Sequence, residues 1–222
     1  PGAALKLWLI DAANMARAFN PEETRRILEE PPYWCFCWAS GLVLARWLAE
    51  RPEWVRGKRV LDFGAGSGVA AIAAAKAGAR HVVNVDFAES SLAVGKDNAR
   101  LNELPIRLRF VKSDAFAALR QYAGLGQPKM VRGKHLPPFP ELAPHRFDLV
   151  FLDPPRYAKS PFGVVDLVHD YAALFKPALL ATEEGGTLIC CNNVARVGRE
   201  DWLEQLERSA RKAGRPVREA EW

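Results

Sequence analysis

Two stretches of this chain hold residues whose types and spacing could do chemistry. The first is Asp62-Phe63-Gly64-Ala65-Gly66-Ser67-Gly68, three alternating glycines behind a carboxylate. Glycines at every second position leave a loop without Cβ atoms, so a ligand can lie directly on backbone. A dinucleotide fingerprint would read G-x-G-x-x-G with pyrophosphate at the helix start. Here the third glycine comes one place early, and Asp62 would repel a pyrophosphate while suiting a ligand that carries an ammonium group. The second stretch is Asp153-Pro154-Pro155, where a carboxylate ends an apolar run and two prolines stiffen the loop behind it.

The elements that must position these groups follow from pattern. Val60-Leu61 closes an apolar run, and the Ala-rich residues 69–77 favour helix, so the glycine loop joins strand to helix. That helix start turns unpaired N–H groups toward whatever lies on the loop. Residues 81–86 then read as a buried parallel strand ending in Asp86, 24 positions after Asp62. At that distance a βαβ unit presents an acid to a ribose, whose vicinal hydroxyls a carboxylate can accept, and Phe87 can pack on an adenine. Asp86 as a plain helix cap before Ala88 is the competing reading. A helix over residues 90–101 carries Asn98 and Asn102. A third strand over residues 106–111 leads to Ser113-Asp114-Ala115-Phe116, where Asp114 is well placed to cap a helix. Residues 149–152 form a buried strand that ends at Asp153. In a doubly wound sheet ligands sit beyond the carboxyl ends of the strands, so both stretches can serve one ligand.

Asp-Phe-Gly-Ala-Gly-Ser-Gly resembles motif I of the class I S-adenosylmethionine (SAM) methyltransferases. The resemblance implies SAM as cofactor, with Asp62, Gly64, Gly66 and Gly68 around its amino-acid and ribose parts. It also places Asp114 and the Ala115 backbone at the adenine, and Asp153 at the methyl group. Trp38-Ala39-Ser40-Gly41, within an aromatic run that opens a helix, resembles protein-lysine methyltransferases of the electron-transfer-flavoprotein β-subunit type across residues 33–78. In that group an aromatic and a small residue line the cofactor pocket, which implicates Trp38. A core role under the sheet is the reading for Phe36 and Trp47.

The run Asp153-Pro154-Pro155-Arg156-Tyr157-Ala158-Lys159-Ser160 is similar to the bacterial large-subunit ribosomal RNA cytosine-C5 methyltransferases. The similarity continues through Asp170-Tyr171-Ala172-Ala173-Leu174 and Gly185-Gly186-Thr187-Leu188-Ile189, and so covers residues 60–214. It implies a ribosomal RNA base as acceptor, with Asp153, Pro154, Pro155 and Tyr157 on the acceptor side. It also implies a cysteine thiolate that adds to C6 and makes C5 nucleophilic. The candidate thiols are Cys190 and, first, Cys191. The family's cysteine falls two positions later, where this chain has Asn193, and buried inert cysteine is the alternative. Asn192 and Asn193 could orient a base edge. A nitrogen-methylating D-P-P-[YF] tetrad would place its aromatic at residue 156. Here Tyr157 comes one place late.

Composition bounds the rest. The 222 residues are 49% hydrophobic and 26% charged, which fits one globular domain with a sizeable core. No apolar run approaches the roughly 20 residues of a membrane span, and no secretion signal opens the chain. The four cysteines stand as C-x-C and C-C, neither a zinc spacing nor a disulfide framework, and this predicts reduced thiols in a cytoplasm and no metal. A net charge of +5 suits a polyanionic partner and suits an ordinary basic surface equally. Residues 124–146 carry eight glycines and prolines among Lys129, Arg132, Lys134, His135, His145 and Arg146. They read as a basic insertion on the substrate side, or a solvated loop.

The expected fold is therefore α/β, a doubly wound and mostly parallel Rossmann-like sheet of the class I methyltransferase type. Its C-terminal antiparallel strand pair is missing, because the chain stops at Trp222. Residues 1–50 would form an N-terminal segment, with a short strand through Leu5, Leu7 and Leu9, and residues 51–222 the SAM-binding domain. The expected activity is methyl transfer to a macromolecule, first a ribosomal RNA. A protein lysine or amino terminus, or a non-catalytic SAM-binding partner subunit, are the alternatives.

Overall fold

Asn20 begins the first helix in the way its sequence demands. The computed structural model describes residues 5–11, 13, 16–104, 106–131, 133–155, 159–164 and 166–221; Arg132, Arg156, Tyr157, Ala158 and Trp222 lie outside them. Helix α1 (Pro21–Glu29) carries a capping box. The Asn20 side chain accepts from the Glu23 amide at 2.8 Å and the Glu23 carboxylate accepts from the Asn20 amide at 2.9 Å. Arg17 pairs with Glu23 at 2.8 Å and, with the amide bond, holds that carboxyl down at about 2.

The described chain forms two compact units, the first comprising residues up to Lys58 with Ala65–Lys112, the second Arg59–Gly64 with the residues from Ser113 onward. In the first, a single 3₁₀ turn (Tyr33–Cys35) precedes α2 (Ala39–Glu50). The aromatic run thus makes one tight turn before the helix proper. Phe36 and Trp47, expected in the core, are only half-buried, and Trp47 leans on Trp54 with ring centroids 5.1 Å apart. Helix α3 (Val69–Lys76) is buried from Val69 to Ala75, since its Ala-rich surface is small enough to be enclosed on every side. Strands β2 (His81–Asp86) and β3 (Leu108–Lys112) pair in parallel with Asp86 opposite Lys112, flanked by α4 (Glu89–Leu101). The third strand starts two residues later than expected, leaving Ile106 96% exposed in the turn.

The predicted strand through Leu5, Leu7 and Leu9 does not form, because another partner takes its backbone. The Asn102 side chain accepts from the Lys6 amide (3.1 Å) and donates to the Lys6 carbonyl (2.6 Å). Asn98 does the same for Trp8, at 2.5 and 3.5 Å. Two amides four residues apart on one helix face match the two-residue repeat of an extended chain.

In the second unit β1 (Arg59–Phe63) pairs in parallel with β6 (Phe147–Leu152), and β6 with β9 (Thr182–Cys190). A bulge between Phe147 and Leu149 lets Glu183-Glu184-Gly185-Gly186 loop out. At the amino end of these strands the Arg59 guanidinium reaches both Asp148 (3.2 Å) and Glu183 (3.0 Å). Helices α5 (Ala115–Tyr122), α6 (Tyr171–Leu180) and α7 (Arg199–Lys212) complete the unit. Two small antiparallel hairpins stand apart from the main sheet: β4 (Met130–Val131) with β5 (Lys134–His135), and β7 (Lys159–Ser160) with β8 (Gly163–Val164). The first lies in the Pro/Gly-rich insertion, which holds no long helix among its described residues.

The strand order of the parallel sheet is β3-β2-β1-β6-β9. The chain reverses direction in that order between β1 and β6, the switch point at which doubly wound sheets bind ligands. Among the described residues no strand follows α7, and no helix is long and apolar enough to cross a membrane.

Candidate cofactor and acceptor site

Within the second unit, the two stretches singled out from sequence touch. Gly64, directly after β1, has φ +70°, and a Cβ built on it would stand 2.3 Å from the backbone oxygen of Asp153 and 3.3 Å from its carbonyl carbon. Only glycine can hold this position, for its left-handed backbone and for the closeness of the second loop. The ladder continues beyond the strand ends: the Asp153 amide donates to the Phe63 carbonyl (3.3 Å), and the Cys191 amide to that of Leu152 (2.9 Å). Asp62 is 3% exposed, Pro154 is buried, and Asp153 and Pro155 are half-buried.

The Tyr171 hydroxyl, buried in α6, donates to the Cys191 carbonyl (3.0 Å), with the Leu152 carbonyl at 3.5 Å. Burial pushes this phenol well above its ordinary pKa, so it stays a donor. It thereby ties together the tips of β6 and β9. Composition and spacing alone gave Tyr171 no such role; its only signal was its place in the segment shared with the ribosomal RNA enzymes.

The thiols behind Asp153 are protonated. Burial pushes Cys190 up to about 12. Cys191 is raised as well, by burial first and then by the neighbouring carboxylates of Asp153 and Asp62. Among the described residues no cation lowers either thiol in the way that normally activates a nucleophilic cysteine. Asn192 is engaged with its own chain, donating to the Leu167 carbonyl (3.3 Å) and accepting from the Val194 amide (3.1 Å). Asn193 is exposed. Tyr157 lies outside the described residues. Asp114 caps α5, its Oδ1 accepting from Phe116 (2.9 Å) and Ala117 (3.2 Å), with Ala115 half-buried beside it.

In the first unit the rest of the glycine loop is held by its own neighbours. Gly66 (φ +51°) donates its amide to Asp86 Oδ2 at 3.0 Å, while Asp86 Oδ1 accepts from Ala88 at 2.9 Å. Asp86 therefore closes the turn before α4 without being the helix cap, since the N-cap is Ala88 and no side chain bonds the first helical amides, and it also joins the loop to the tip of β2. Ser91, 1% exposed, donates to the Gly66 carbonyl (2.9 Å), and Asn98, fully buried, donates to that of Ser67 (2.9 Å). Gly68 starts α3 in the left-handed conformation, 3.6 Å from the Gly95 Cα when a Cβ is added. Ser91 and Asn98 were not identified as loop supports from sequence, although the i, i+4 pair Asn98 and Asn102 on one face was readable. Phe87 (58% exposed) and Trp38 (53%) are large aromatics left open to solvent. The Trp38 indole donates to the Tyr33 carbonyl (2.6 Å) and sits edge-on to Phe36.

Burial raises the Asp86 pKa above its ordinary value, partly offset by the Ala88, Ser91 and Gly66 bonds. An ionised carboxylate accepts from a hydroxyl more strongly than a protonated one, so any cofactor affinity that Asp86 contributed would be present above that raised pKa and weaken as pH falls through it. Calorimetric titration with S-adenosylhomocysteine should show affinity falling on mild acidification, before ordinary carboxylates titrate. Asp86→Asn should bind more weakly at neutral pH and lose this dependence; a variant that keeps the wild-type profile excludes Asp86 as its source.

Comparison with known proteins agrees with this fold. The ribosomal protein L11 methyltransferase (PrmA) family matches residues 46–122. Ribosomal RNA large subunit methyltransferase K/L of Chromohalobacter salexigens is 34% identical over 147 residues, 65% of this chain and 17% of that protein. Ribosomal RNA large subunit methyltransferase I of Aeromonas hydrophila is 30% identical over 138 residues, 62% of this chain and 30% of that one. The chain thus spans less than a third of the length of either relative. Among solved structures, SMU.776, described as a methyltransferase complexed with SAH, superposes with a TM-score of 0.57 at 25% identity, covering 73% of this chain and 39% of that one. The SAM-dependent methyltransferase of Agrobacterium tumefaciens gives 0.59 at 20% identity, covering 82% and 52%. Doubly wound order and glycine loop give the chain the Rossmann-like fold of the class I S-adenosylmethionine-dependent methyltransferases, and its sequence is similar to members of that class over part of their length.

Proposed function

We propose that this domain transfers a methyl group from SAM to a base of large-subunit ribosomal RNA. The observation that carries the reading is the contact of Gly64 with the Asp153 backbone, which sets the glycine loop directly against the Asp153-Pro154-Pro155 loop. One loop has the bare backbone a nucleoside cofactor needs; the other has a carboxylate and a proline-stiffened carbonyl row that can hold an acceptor. The relatives named for ribosomal RNA support the choice of acceptor. The match to the L11 enzyme ends at residue 122, before Asp153, and so speaks for the cofactor side only.

In this reading the Gly64–Gly68 backbone and Asp62 hold the amino-acid end of the cofactor. Asp86 accepts from the ribose hydroxyls, Phe87 and Trp38 cover the adenine, and Asp114 with the Ala115 backbone accepts and donates at its edge. Bound SAM supplies a methyl on a sulfonium, whose sulfide leaves without needing a proton. The chain's work is alignment: Asp153 and the Pro154 carbonyl orient the acceptor atom in line, and such positioning supplies much of the rate. Asp153 also takes a hydrogen bond from the acceptor where that atom carries a proton.

The protonated thiols favour direct attack by the base over a covalent route. Cys190→Ser and Cys191→Ser should each keep activity within about threefold. A loss of 10³ or more in either, well beyond what a small packing change explains, would reinstate a thiolate adduct. The central test is transfer of tritiated methyl from SAM into cell extract, followed by nuclease or protease digestion. Label released by RNase is expected. Label released only by protease would move the acceptor to a protein, and no label would leave a SAM-binding subunit.

A further inference from the structure

The basic insertion is a braced arm. At its near end the Arg120 guanidinium donates twice to the Gly126 carbonyl (2.6 and 3.1 Å), and the Gln127 amide donates to the Ala117 carbonyl. At its far end the Gln121 side chain donates to the Pro140 carbonyl and accepts from the Leu142 amide, both at 2.9 Å, and the His145 amide donates to the Tyr122 carbonyl. Leu142 is buried. Both feet therefore stand on α5, and the β4–β5 hairpin projects between them. Lys129, Lys134 and His135 on this hairpin are exposed, and none pairs with an acid among the described residues. Phe139 stacks on Phe162 (5.5 Å, 16°), and Phe162 packs on Phe116 (5.6 Å, 37°). Phe162 belongs to the β7–β8 turn that follows Asp153-Pro154-Pro155, and Phe116 lies in the first turn of the helix capped by Asp114. A cationic hairpin, unstable as an isolated two-stranded ribbon, is thus clamped by three aromatic rings to α5 and to the β7–β8 turn, which follows Asp153-Pro154-Pro155 in the chain.

We propose that this hairpin is an RNA-docking arm, on which Lys129, Lys134 and His135 take backbone phosphates while the Phe116–Phe162–Phe139 stack fixes its distance from Asp153. The inference rests on the RNA reading above and extends it to a site of phosphate contact. Positive charge on a rigid ribbon fits a phosphate backbone better than a peptide, because each neutralised phosphate releases condensed counterions.

The test is binding, without turnover, of a transcribed large-subunit ribosomal RNA domain, followed by fluorescence anisotropy across a salt series. The double variant Lys129→Glu/Lys134→Glu should lose affinity on the order of tenfold or more at 0.1 M salt, with the log–log salt slope shallower by roughly one to two. Affinity for S-adenosylhomocysteine, measured by calorimetry, should not change, which also reports intact folding. Arg208→Glu/Lys212→Glu on α7 changes net charge equally and should leave the slope near wild type. Equal slopes for wild type and the hairpin variant, equal losses in both double variants, or no binding of RNA by the wild type would each overturn the arm. Wild-type methylation of RNA with an unaltered hairpin-variant slope refutes the arm alone. Absence of label in RNA refutes the acceptor assignment, while the binding series still reads the arm.

Discussion

Gly64→Ala is expected to abolish measurable cofactor binding and to destabilise the domain by several kcal/mol, whereas Gly57→Ala should do neither. The two glycines make a matched pair. Their φ angles are +70° and +73°, so each alanine adopts the same disfavoured left-handed backbone, at a cost of about 1–2 kcal/mol. Nothing lies within 4 Å of the Cβ at Gly57, while at Gly64 it would overlap the Asp153 carbonyl, oxygen at 2.3 Å and carbon at 3.3 Å. These are backbone atoms on a loop held by the Asp153 amide bond to Phe63 and stiffened by two prolines, so they cannot rotate aside as a side chain would. Either β1 and β6 separate at their tips or the Asp153 loop shifts. Urea unfolding should place Gly57→Ala within about 2 kcal/mol of wild type and Gly64→Ala well beyond it. Calorimetry with S-adenosylhomocysteine should find binding only in the former. Equal behaviour of the pair would mean that the contact between the two loops is slack and does not support the functional reading.

The second large effect is expected at Asp153. Asp153→Asn keeps size and backbone, and with them the Gly64 contact, the Phe63 bond and the cofactor side. It removes the charge that would orient the acceptor. Methyl transfer should fall by roughly 10²–10³, the range for loss of one preorganised group at a reacting centre, with cofactor affinity within about threefold of wild type. The split matters more than the size. A joint loss of binding and turnover would give Asp153 a structural role at the junction of β1 and β6. Activity within tenfold of wild type would show that the acceptor is held by backbone carbonyls alone.

Much of the fold was legible because its signals are local. Val60-Leu61, residues 81–86 and residues 149–152 are short apolar runs closed by an acid or a turn, which is how a strand buried on both faces must read. The glycine spacing and the acid 24 positions later belong to a single βαβ unit, so chain order alone puts Asp86 beside the loop.

What misled was equally physical. Leu5, Leu7 and Leu9 alternate as a strand does, but alternation does not say whether the hydrogen-bonding partner is another strand or a pair of helix amides, and here Asn98 and Asn102 take that place. Phe36 and Trp47 are apolar enough for a core, yet they sit on α2 and the turn before it, where neighbours cover only one side.

By itself, then, the order of residues determined the buried strands of the central sheet and the helix after the glycine loop, where the chain must turn on glycine, and which acids stand at strand tips, since each depends on neighbours within a few positions. Only the tertiary structure decided that the Asp153 carbonyl leaves no room for a side chain at Gly64, that Cys190 and Cys191 keep their protons, that Tyr171 ties β6 to β9, and that three phenylalanines clamp the basic hairpin. Those facts depend on burial and on contacts across many tens of residues, and no local pattern encodes the field or the space at a point that the folded chain alone brings into being.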